Sequence, residues 1–309
     1  MRAKIKSAAM MAGMVICWSL YYTFSKVLVD RTGSPFVTGL LLRAAALLFL
    51  TAQLWITGTL KTLLNHPRAA VMTLISIGVF GFLLDLFANL GYAKGSLGTG
   101  TALLKTDVLM VNLVTVLLER KRLTVMDWGG TVVMLFGVLL VLGVDFKGFT
   151  VNPWDLLFLL SAACVTANAF IIKRAQTKYG LTPDTVSYWN NGVVLLLFAG
   201  ASFLSGDAGQ VFGGALPKGT LWLALCGGLA QTGIYFFYYR NLKTHEVWLV
   251  KLYLLFMPVV SCFIGAVFLN ERLTATKLMG ILVVLIGAGV ILLFHGRAPR
   301  EREGVSPRP

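Results

Sequence analysis

Long apolar runs alternate with short polar segments along almost the whole chain. Ten of these runs approach the roughly 20 residues that an α-helix needs to cross a hydrocarbon core of about 30 Å. They cover residues 8–29, 36–57, 70–93, 98–118, 124–143, 153–172, 185–205, 220–241, 247–269 and 275–295. The connectors between them are short and rich in Gly, Pro, Thr and charge, which is typical of turns between packed helices. The pattern predicts an all-α polytopic membrane protein with ten transmembrane helices.

The composition supports a lipid environment for these helices. Of the 309 residues, 57% are hydrophobic and 13% are charged, and the mean hydropathy is +0.79. Soluble domains carry about 25% charged residues. The four cysteines lie inside predicted spans without the close spacing of a metal site, so they are interpreted as packing residues. No cofactor or metal is expected, and residues 296–309 are predicted to form a disordered cytoplasmic tail.

The positive charge is concentrated at one side of the predicted helices. The net charge is +14, and 17 Lys and Arg residues fall on the side of the N-terminus, against six on the opposite side and four within spans. Because the excess of Lys and Arg marks cytoplasmic loops, both termini are predicted to be cytoplasmic and the protein to lie in the cell inner membrane. This bias explains the basic composition without a nucleic-acid partner.

The two halves of the sequence resemble each other at an offset of about 150 residues. Some matched residues start a predicted helix, and others lie within apolar runs. The matched glycines are small residues that let the backbones of neighbouring helices approach each other closely. The matched positions are 122–124 (Arg-Leu-Thr) with 272–274 (Arg-Leu-Thr), Gly130 with Gly280, Gly137 with Gly287, Ser34-Pro35 with Thr182-Pro183, Lys26 with Lys173, and Arg43 with Asn191.

This internal similarity predicts two repeats of opposite orientation. The first repeat is predicted to cover residues 8–143 and the second residues 153–295, with five spans each. Because five is an odd number, the second copy enters the membrane upside down relative to the first. Inverted repeats are a recurring architecture of secondary transporters, in which two similar halves alternate around a site near the midplane.

One segment of the second repeat closely resembles a known family. Residues 258–274 read Pro-Val-Val-Ser-Cys-Phe-Ile-Gly-Ala-Val-Phe-Leu-Asn-Glu-Arg-Leu-Thr and are followed by an apolar helix that carries glycines. This segment resembles the EamA-like family of the drug/metabolite transporter superfamily. Trp18-Ser19 with the following aromatics, Lys26 in the first helix and Arg43 in the second also look like that family. The resemblance covers about residues 10–294.

The first repeat departs from this pattern, because Lys121 stands where Glu271 stands in the second and Glu119 is displaced by two residues. The resemblance implies ten helices in two inverted five-helix repeats, cytoplasmic termini and a substrate cavity between the bundles. Family members are commonly exporters of amino acids, other metabolites or drugs. The resemblance therefore implies the mode of action more specifically than the cargo.

Six ionisable residues are predicted to lie within the spans. An ionised side chain at the bilayer centre costs roughly 2.5 to 3.5 kcal/mol on insertion scales, so such residues face a partner or a watery cavity. Four cations against two carboxylates leave a positive surplus that suits a carboxylate-bearing solute. The alternatives are ion pairing, as between Arg43 and Asp85, and snorkelling, as for Lys26 and Lys105. The six are Lys26, Arg43, Asp85, Lys105, Asp107 and Lys251.

A set of charged, amide and aromatic residues at membrane depth is predicted to bind the substrate. The alternative for each of them is helix packing, an interhelical hydrogen bond or a place in the interfacial aromatic belt. The predicted substrate-binding residues are Trp18, Tyr22, Arg43, Asp85, Asn89, Trp189, Asn191, Tyr238 and Lys251.

The sequence contains no phosphate-binding loop of an ATPase, no His-Glu-x-x-His zinc motif and no assembled catalytic constellation. The prediction is therefore a gradient-driven secondary transporter, not an enzyme, that exports small metabolites by alternating access. Amino acids and other carboxylate-bearing solutes are the expected cargo, with nucleotide sugars and drugs as the alternatives. Membrane lipid and a second copy of the chain are the expected partners. The alternative is an intramembrane enzyme or a membrane receptor without transport activity.

Overall fold

The structure is a computed structural model that describes residues 2–64, 67–94, 103–117, 123–142, 154, 156–214, 216–257, 259–260, 263 and 274–294. All regular secondary structure within these residues is helical. The helices are α1 (Arg2–Thr32), α2 (Pro35–Ile56), α3 (Val71–Lys94), α4 (Asp107–Leu117), α5 (Val125–Leu142), α6 (Leu156–Lys178), α7 (Pro183–Leu204), α8 (Ala208–Phe212), α9 (Thr220–Thr244), α10 (Val247–Tyr253) and α11 (Ala275–Phe294), with short 3₁₀ turns at Leu60–Leu64, Arg68–Ala70 and Leu254–Phe256.

Within the described residues, six stretches are long and apolar enough to cross a membrane. They are Ser7–Thr32, Pro35–Ile56, Arg68–Gly91, Leu156–Lys178, Pro183–Leu204 and Thr220–Thr244. Four shorter apolar helices, at Asp107–Leu117, Val125–Leu140, Val247–Phe256 and Ala275–Ile291, overlap the other four predicted spans. The all-helical, multi-pass architecture agrees with the sequence prediction, and the count of ten spans stays a prediction.

Much of the motif-bearing sequence lies outside the described residues. Of the segment 258–274, the structure describes residues 259, 260, 263 and 274. Glu119, Lys121, Arg122 and Glu271 are outside the described residues, as is the tail from residue 295 onward.

The two matched Ser/Thr-Pro pairs begin two helices in the same way. The Ser34 hydroxyl accepts a hydrogen bond from the backbone N–H of Val37 at 3.2 Å, and the Thr182 hydroxyl accepts one from that of Thr185 at 3.1 Å. In both helices Pro occupies the first helical position, where a backbone N–H would have no partner within the helix, so the missing N–H costs no hydrogen bond. The local sequence therefore starts α2 and α7 identically, and both helices are 22 residues long.

These two matched helices pack against each other in an antiparallel crossing. The side-chain amide of Asn191 donates to the backbone carbonyl of Arg43 at 3.0 Å, so the two positions matched in sequence touch in space. Nearer the start of α2, Gly39 lies against the ring of Phe198 near the end of α7. From Gly39 to Arg43 the contact moves forward along α2, and on α7 it moves backward from Phe198 to Asn191. The two helices are therefore antiparallel.

The matched glycines form a second antiparallel contact, between α5 and α11. A Cβ atom on Gly137 would lie 2.9 Å from the backbone oxygen of Gly280, and one on Gly287 would lie 3.0 Å from that of Gly130. Only glycine permits this approach, because any side chain would meet backbone atoms of the opposite helix. The small residues noted in the sequence therefore hold these two helices in close contact.

The surface and the interior have the polarity of a protein in lipid. Large apolar side chains such as Trp55, Leu204 and Trp222 are exposed on the outside of the helices. Charged side chains such as Arg43 and Lys251 are buried between them. Since lipid solvates hydrocarbon and not charge, this distribution fits helices whose outer face contacts acyl chains.

Candidate functional site

A cavity of about 50 Å³ lies among the helices, with walls from both halves of the chain. Polar and aromatic side chains from α1, α2, α3, α6, α7, α9 and α10 border it. The polar residues of its lining are Trp18, Tyr21, Tyr22, Arg43, Asp85, Asn168, Asn190, Gln231, Tyr235, Tyr238, Tyr239 and Lys251. Such a concave site with a few convergent polar groups is the usual form of a small-molecule site.

The first charged group in this cavity is an ion pair between α2 and α3. The guanidinium of Arg43 donates to the carboxylate of Asp85 and also to the hydroxyl of Tyr235 on α9. The hydroxyl of Tyr21 donates to the same carboxylate oxygen at 3.4 Å. Arg43 is 4% exposed and Asp85 is 7% exposed. Because both groups are largely removed from solvent, each charge is stabilised mainly by the other.

Asn191 supports this group from behind the cavity wall. Its amide nitrogen donates to the Arg43 carbonyl at 3.0 Å, and its amide oxygen accepts from the Tyr235 hydroxyl at 3.2 Å. Asn191 therefore bridges α2 and α9 at Arg43, which carries the guanidinium, and at Tyr235, which accepts a hydrogen bond from it. It is fully buried and does not border the cavity.

The second charged group is an ion pair between α10 and the first residue of α4. The Lys251 ammonium donates to the Asp107 carboxylate at 3.1 Å. The same ammonium nitrogen lies 5.7 Å from the ring centroid of Trp18 and 5.5 Å from that of Tyr238. These distances fall within the range of cation–π attraction. Lys251 is 1% exposed, so its ammonium is buried beside these rings and the Asp107 carboxylate.

A smaller cavity of about 20 Å³ adjoins the first one at Lys251. The two cavities share Trp18, Tyr22, Val165 and Lys251 as lining residues. The smaller cavity adds Lys105 and Asp107 to the charged lining. Lys251 therefore stands between the two cavities and contributes to the wall of each.

Two amide oxygens at the larger cavity have no hydrogen-bond partner among the described residues. They are the side-chain oxygens of Asn168 and Asn190, which are buried although both residues border the cavity. The nitrogen of the Asn190 amide donates to the Tyr239 hydroxyl at 2.5 Å. Because buried polar atoms are normally paired, these two acceptors suit N–H groups of a ligand that enters the cavity.

Of the nine predicted site residues, Trp18, Tyr22, Arg43, Asp85, Tyr238 and Lys251 border the larger cavity. Asn89, Trp189 and Asn191 border neither cavity. The indole N–H of Trp189 donates to the backbone carbonyl of Leu63 at 3.3 Å, which ties α7 to the 3₁₀ turn after α2. Of the two lysines for which snorkelling was the alternative, Lys26 is exposed and Lys105 is half-buried at the smaller cavity.

The predicted substrate-binding set contains Tyr238 but not the other lining residues on the same face of α9. These are Gln231, Ile234, Tyr235 and Tyr239. Ile234, Tyr235, Tyr238 and Tyr239 stand three, four, seven and eight positions after Gln231. This spacing is one continuous stripe of an α-helix. The helical periodicity of polar and aromatic residues in 231–239 was therefore the signal that could have found this wall.

An all-helical multi-pass membrane protein with charged residues around a central cavity has the features of a membrane transporter. The family model described as the EamA-like transporter family matches residues 5–143 and 152–293. The chain therefore belongs to the EamA-like transporter family, as the resemblance of residues 258–274 predicted. Membership in this family favours a transporter of the drug/metabolite type over an enzyme.

Two individual proteins are similar over nearly the whole length. A protein of Archaeoglobus fulgidus (strain ATCC 49558 / DSM 4304 / JCM 9628 / NBRC 100126 / VC-16), named an uncharacterized transporter, is 24% identical over 294 residues, which cover 93% of this chain and 99% of that protein. A solved crystal structure has a TM-score of 0.69 at 17% identity and covers 92% of this chain and 98% of its own. The second comparison supports the fold.

Proposed function

We propose that this protein is a secondary active transporter that exports small carboxylate-bearing solutes, such as amino acids, by alternating access. The observation that carries the proposal is the larger cavity, which the Arg43 and Asp85 ion pair, the Lys251 ammonium and two amide oxygens without a partner among the described residues all border. Buried charges of this kind, which insertion into lipid disfavours by about 2.5 to 3.5 kcal/mol each, mark solute pathways in membrane proteins.

The chemistry of the lining favours a solute with both an anionic and an N–H group. A substrate carboxylate would compete with Asp85 for Arg43 and with Asp107 for Lys251. The unbonded oxygens of Asn168 and Asn190 would accept from an ammonium or amide of the same solute. The tyrosine and tryptophan rings around them supply apolar surface for its side chain.

The antiparallel helix crossings support an inverted-repeat mechanism. Matched helices α2 and α7 cross antiparallel, and so do α5 and α11. Two equivalent helices that cross antiparallel are exchanged by a twofold axis perpendicular to both, which lies in the membrane plane when the helices span it. We therefore infer ten spans in two inverted five-helix repeats, whose relative rocking would open the cavity to either side.

We propose that the protein lies in the cell inner membrane with both termini cytoplasmic, and the cations at one end of the bundle support the placement of the N-terminus. Ser7 near the start of α1 and Lys173 near the end of α6 both contact His245 at one end of the bundle. Lys178, Arg240 and Lys243 lie near the same helix ends, which concentrates cations there. Since this excess marks the cytoplasmic side, the N-terminus lies inside.

Counterflow in proteoliposomes tests the function directly. The purified protein would be given a panel of labelled amino acids, sugars and organic cations under a defined pH gradient. We expect accumulation of an amino acid or another carboxylate and weaker accumulation in the Arg43→Ala and Lys251→Ala variants. No flux of any solute by folded, inserted protein would contradict a transporter. Flux that both variants leave unchanged would contradict the assignment of the cavity.

A further inference from the structure

We propose that the smaller cavity is a separate anion subsite, sized for one carboxylate group or one halide ion, and that Lys105 supplies its unbalanced charge. The proposal deepens the transport function proposed above and rests on it for the identity of the solute that would bring the carboxylate. Lys105 was not among the predicted binding residues, and no role is assigned to it by family membership.

The charges around the smaller cavity do not balance. Lys105, Lys251 and Asp107 all border it, so two ammonium groups face one carboxylate. The Lys251 ammonium donates a hydrogen bond to an oxygen of the Asp107 carboxylate at 3.1 Å. The Arg43 and Asp85 pair at the larger cavity is already neutral. Within the described part of the chain, the two joined cavities therefore carry one net positive charge, which a single monovalent anion would neutralise.

Of the cations that border the two cavities, the half-buried Lys105 has the weakest acceptor among the described residues. Its ammonium nitrogen lies 3.3 Å from the thioether sulfur of Met257, which also borders the smaller cavity. An ammonium carries three donors, whereas a thioether is a weak neutral acceptor. An anionic oxygen or a halide beside Lys105 would replace that contact with a charge-assisted one.

The size of the smaller cavity limits what it holds. Its volume is about 20 Å³, and a cavity needs about 10 to 15 Å³ on this measure to hold one water. The space is therefore right for one ion or one terminal carboxylate and too small for a whole metabolite. A larger solute would leave the rest of its structure in the adjoining cavity.

A continuous strip of α6 connects the two cavities. Ala162 borders the smaller cavity, Val165 borders both and Asn168 borders the larger one. These residues are three apart, so they follow one another along the helix with about 4.5 Å of rise per step. A solute with its carboxylate at Lys105 and Lys251 would thus extend along α6 towards the unbonded oxygen of Asn168.

Equilibrium binding to the full chain in detergent micelles tests the subsite independently of transport. The thermal midpoint of unfolding would be measured against sodium chloride or sodium acetate, with sodium isethionate, a bulky sulfonate, keeping the ionic strength constant. An anion that binds the folded protein raises the midpoint in a saturable way. We expect Lys105→Met to raise the half-saturating anion concentration by about tenfold or more, and Lys105→Arg to retain binding. Lys218→Met changes an exposed loop lysine and should behave as the wild type.

A second variant removes the space and keeps every charge. Ala162→Leu would fill the smaller cavity from α6 and is expected to abolish the anion effect, which keeps the test decisive if Lys105→Met fails to fold. A response to acetate alone supports a solute carboxylate, and a response to chloride supports a resident halide in the same site. No saturable response in the wild type, or an unchanged response in both Lys105→Met and Ala162→Leu, would overturn the subsite.

The outcome for the subsite is distinguishable from that for transport. Wild-type protein that binds the anion in micelles but moves no solute in proteoliposomes supports the subsite and contradicts the transport function. Solute flux without any anion binding supports transport and contradicts the subsite.

Discussion

The ammonium nitrogen of Lys251 lies 3.1 Å from a carboxylate oxygen of Asp107, where the two cavities meet. The two residues are 144 positions apart in the sequence, on α10 and α4. Both are buried, so their mutual attraction acts with little screening by water. This contact joins the two halves of the chain at the wall of the candidate substrate site.

Breaking this pair from one side should destabilise the protein more than removing it entirely. Asp107→Asn or Lys251→Met leaves one buried charge without its partner, and we expect a loss of about 3 to 5 kcal/mol in the free energy of unfolding. The double variant removes both charges and should recover most of that loss. Denaturant unfolding of all four proteins in micelles gives the coupling energy, and additive losses would show that the contact contributes nothing.

Asn191 should act on transport by positioning Arg43. Asn191→Leu removes the bonds to the Arg43 carbonyl and the Tyr235 hydroxyl. It leaves the buried Tyr235 hydroxyl without its acceptor, at about 1 to 3 kcal/mol, and breaks the link from α7 to the carbonyl of Arg43. The guanidinium loses its fixed place, so we expect a higher KM for the transported solute in folded protein. Asn191→Asp keeps an acceptor for Tyr235 but loses the donor to the Arg43 carbonyl and adds a buried carboxylate, so it should raise the KM as well. A Leu variant with wild-type KM would contradict this role.

Gly81 should be essential for the space around Asn190. A Cβ atom at position 81 would lie 2.5 Å from the amide oxygen of Asn190 and 3.0 Å from a methyl of Val194. Gly81→Ala should therefore cost about 1 to 3 kcal/mol by overpacking and reduce solute affinity. Gly192→Ala is the matched control, because no atom in the described part of the chain lies within 4 Å of its added Cβ. Equal thermal midpoints for the two variants would argue against this contact.

The contact of α5 with α11 should depend on Gly287 and not on Gly289. A Cβ atom on Gly287 would lie 2.9 Å from the backbone nitrogen of Met134 and 3.0 Å from the oxygen of Gly130, whereas one on Gly289 would meet no atom of the described residues within 4 Å. Gly287→Val must push two backbones apart, so we expect a loss of more than about 3 kcal/mol, above ordinary overpacking. Gly289→Val should unfold near the wild-type midpoint in the same measurement.

His245 should make stability fall in mild acid. Burial, and then the positive charge of Lys173, lower the pKa of His245 below its ordinary value of 6.5, and its ring nitrogen lies 3.0 Å from the Ser7 hydroxyl. The unfolded chain then binds the proton more readily than the folded one. The stabilising contribution is complete above pH 6.5 and decreases as the pH falls towards the folded pKa. In His245→Gln the thermal midpoint should change less between pH 8 and pH 5.5 than it does in the wild type.

Several features were predictable because they depend on short stretches of chain. Ser34-Pro35 and Thr182-Pro183 predicted two helix starts, and both caps are formed within three residues of the capping side chain. The apolar runs predicted membrane-spanning helices because hydrophobicity over about 20 residues is sufficient for insertion. Residues 258–274 predicted the family from their order alone, and the family comparison confirms it.

The sequence by itself determined the class of protein, the helix starts and the presence of charges at membrane depth. The tertiary structure decided which side chains meet, because successive residues of a helix point about 100° apart. Asn190 therefore borders the cavity while its neighbours Trp189 and Asn191 contact other helices. The partner of Lys251 is likewise set by the packing of α10 against α4, since no local pattern relates positions 144 residues apart.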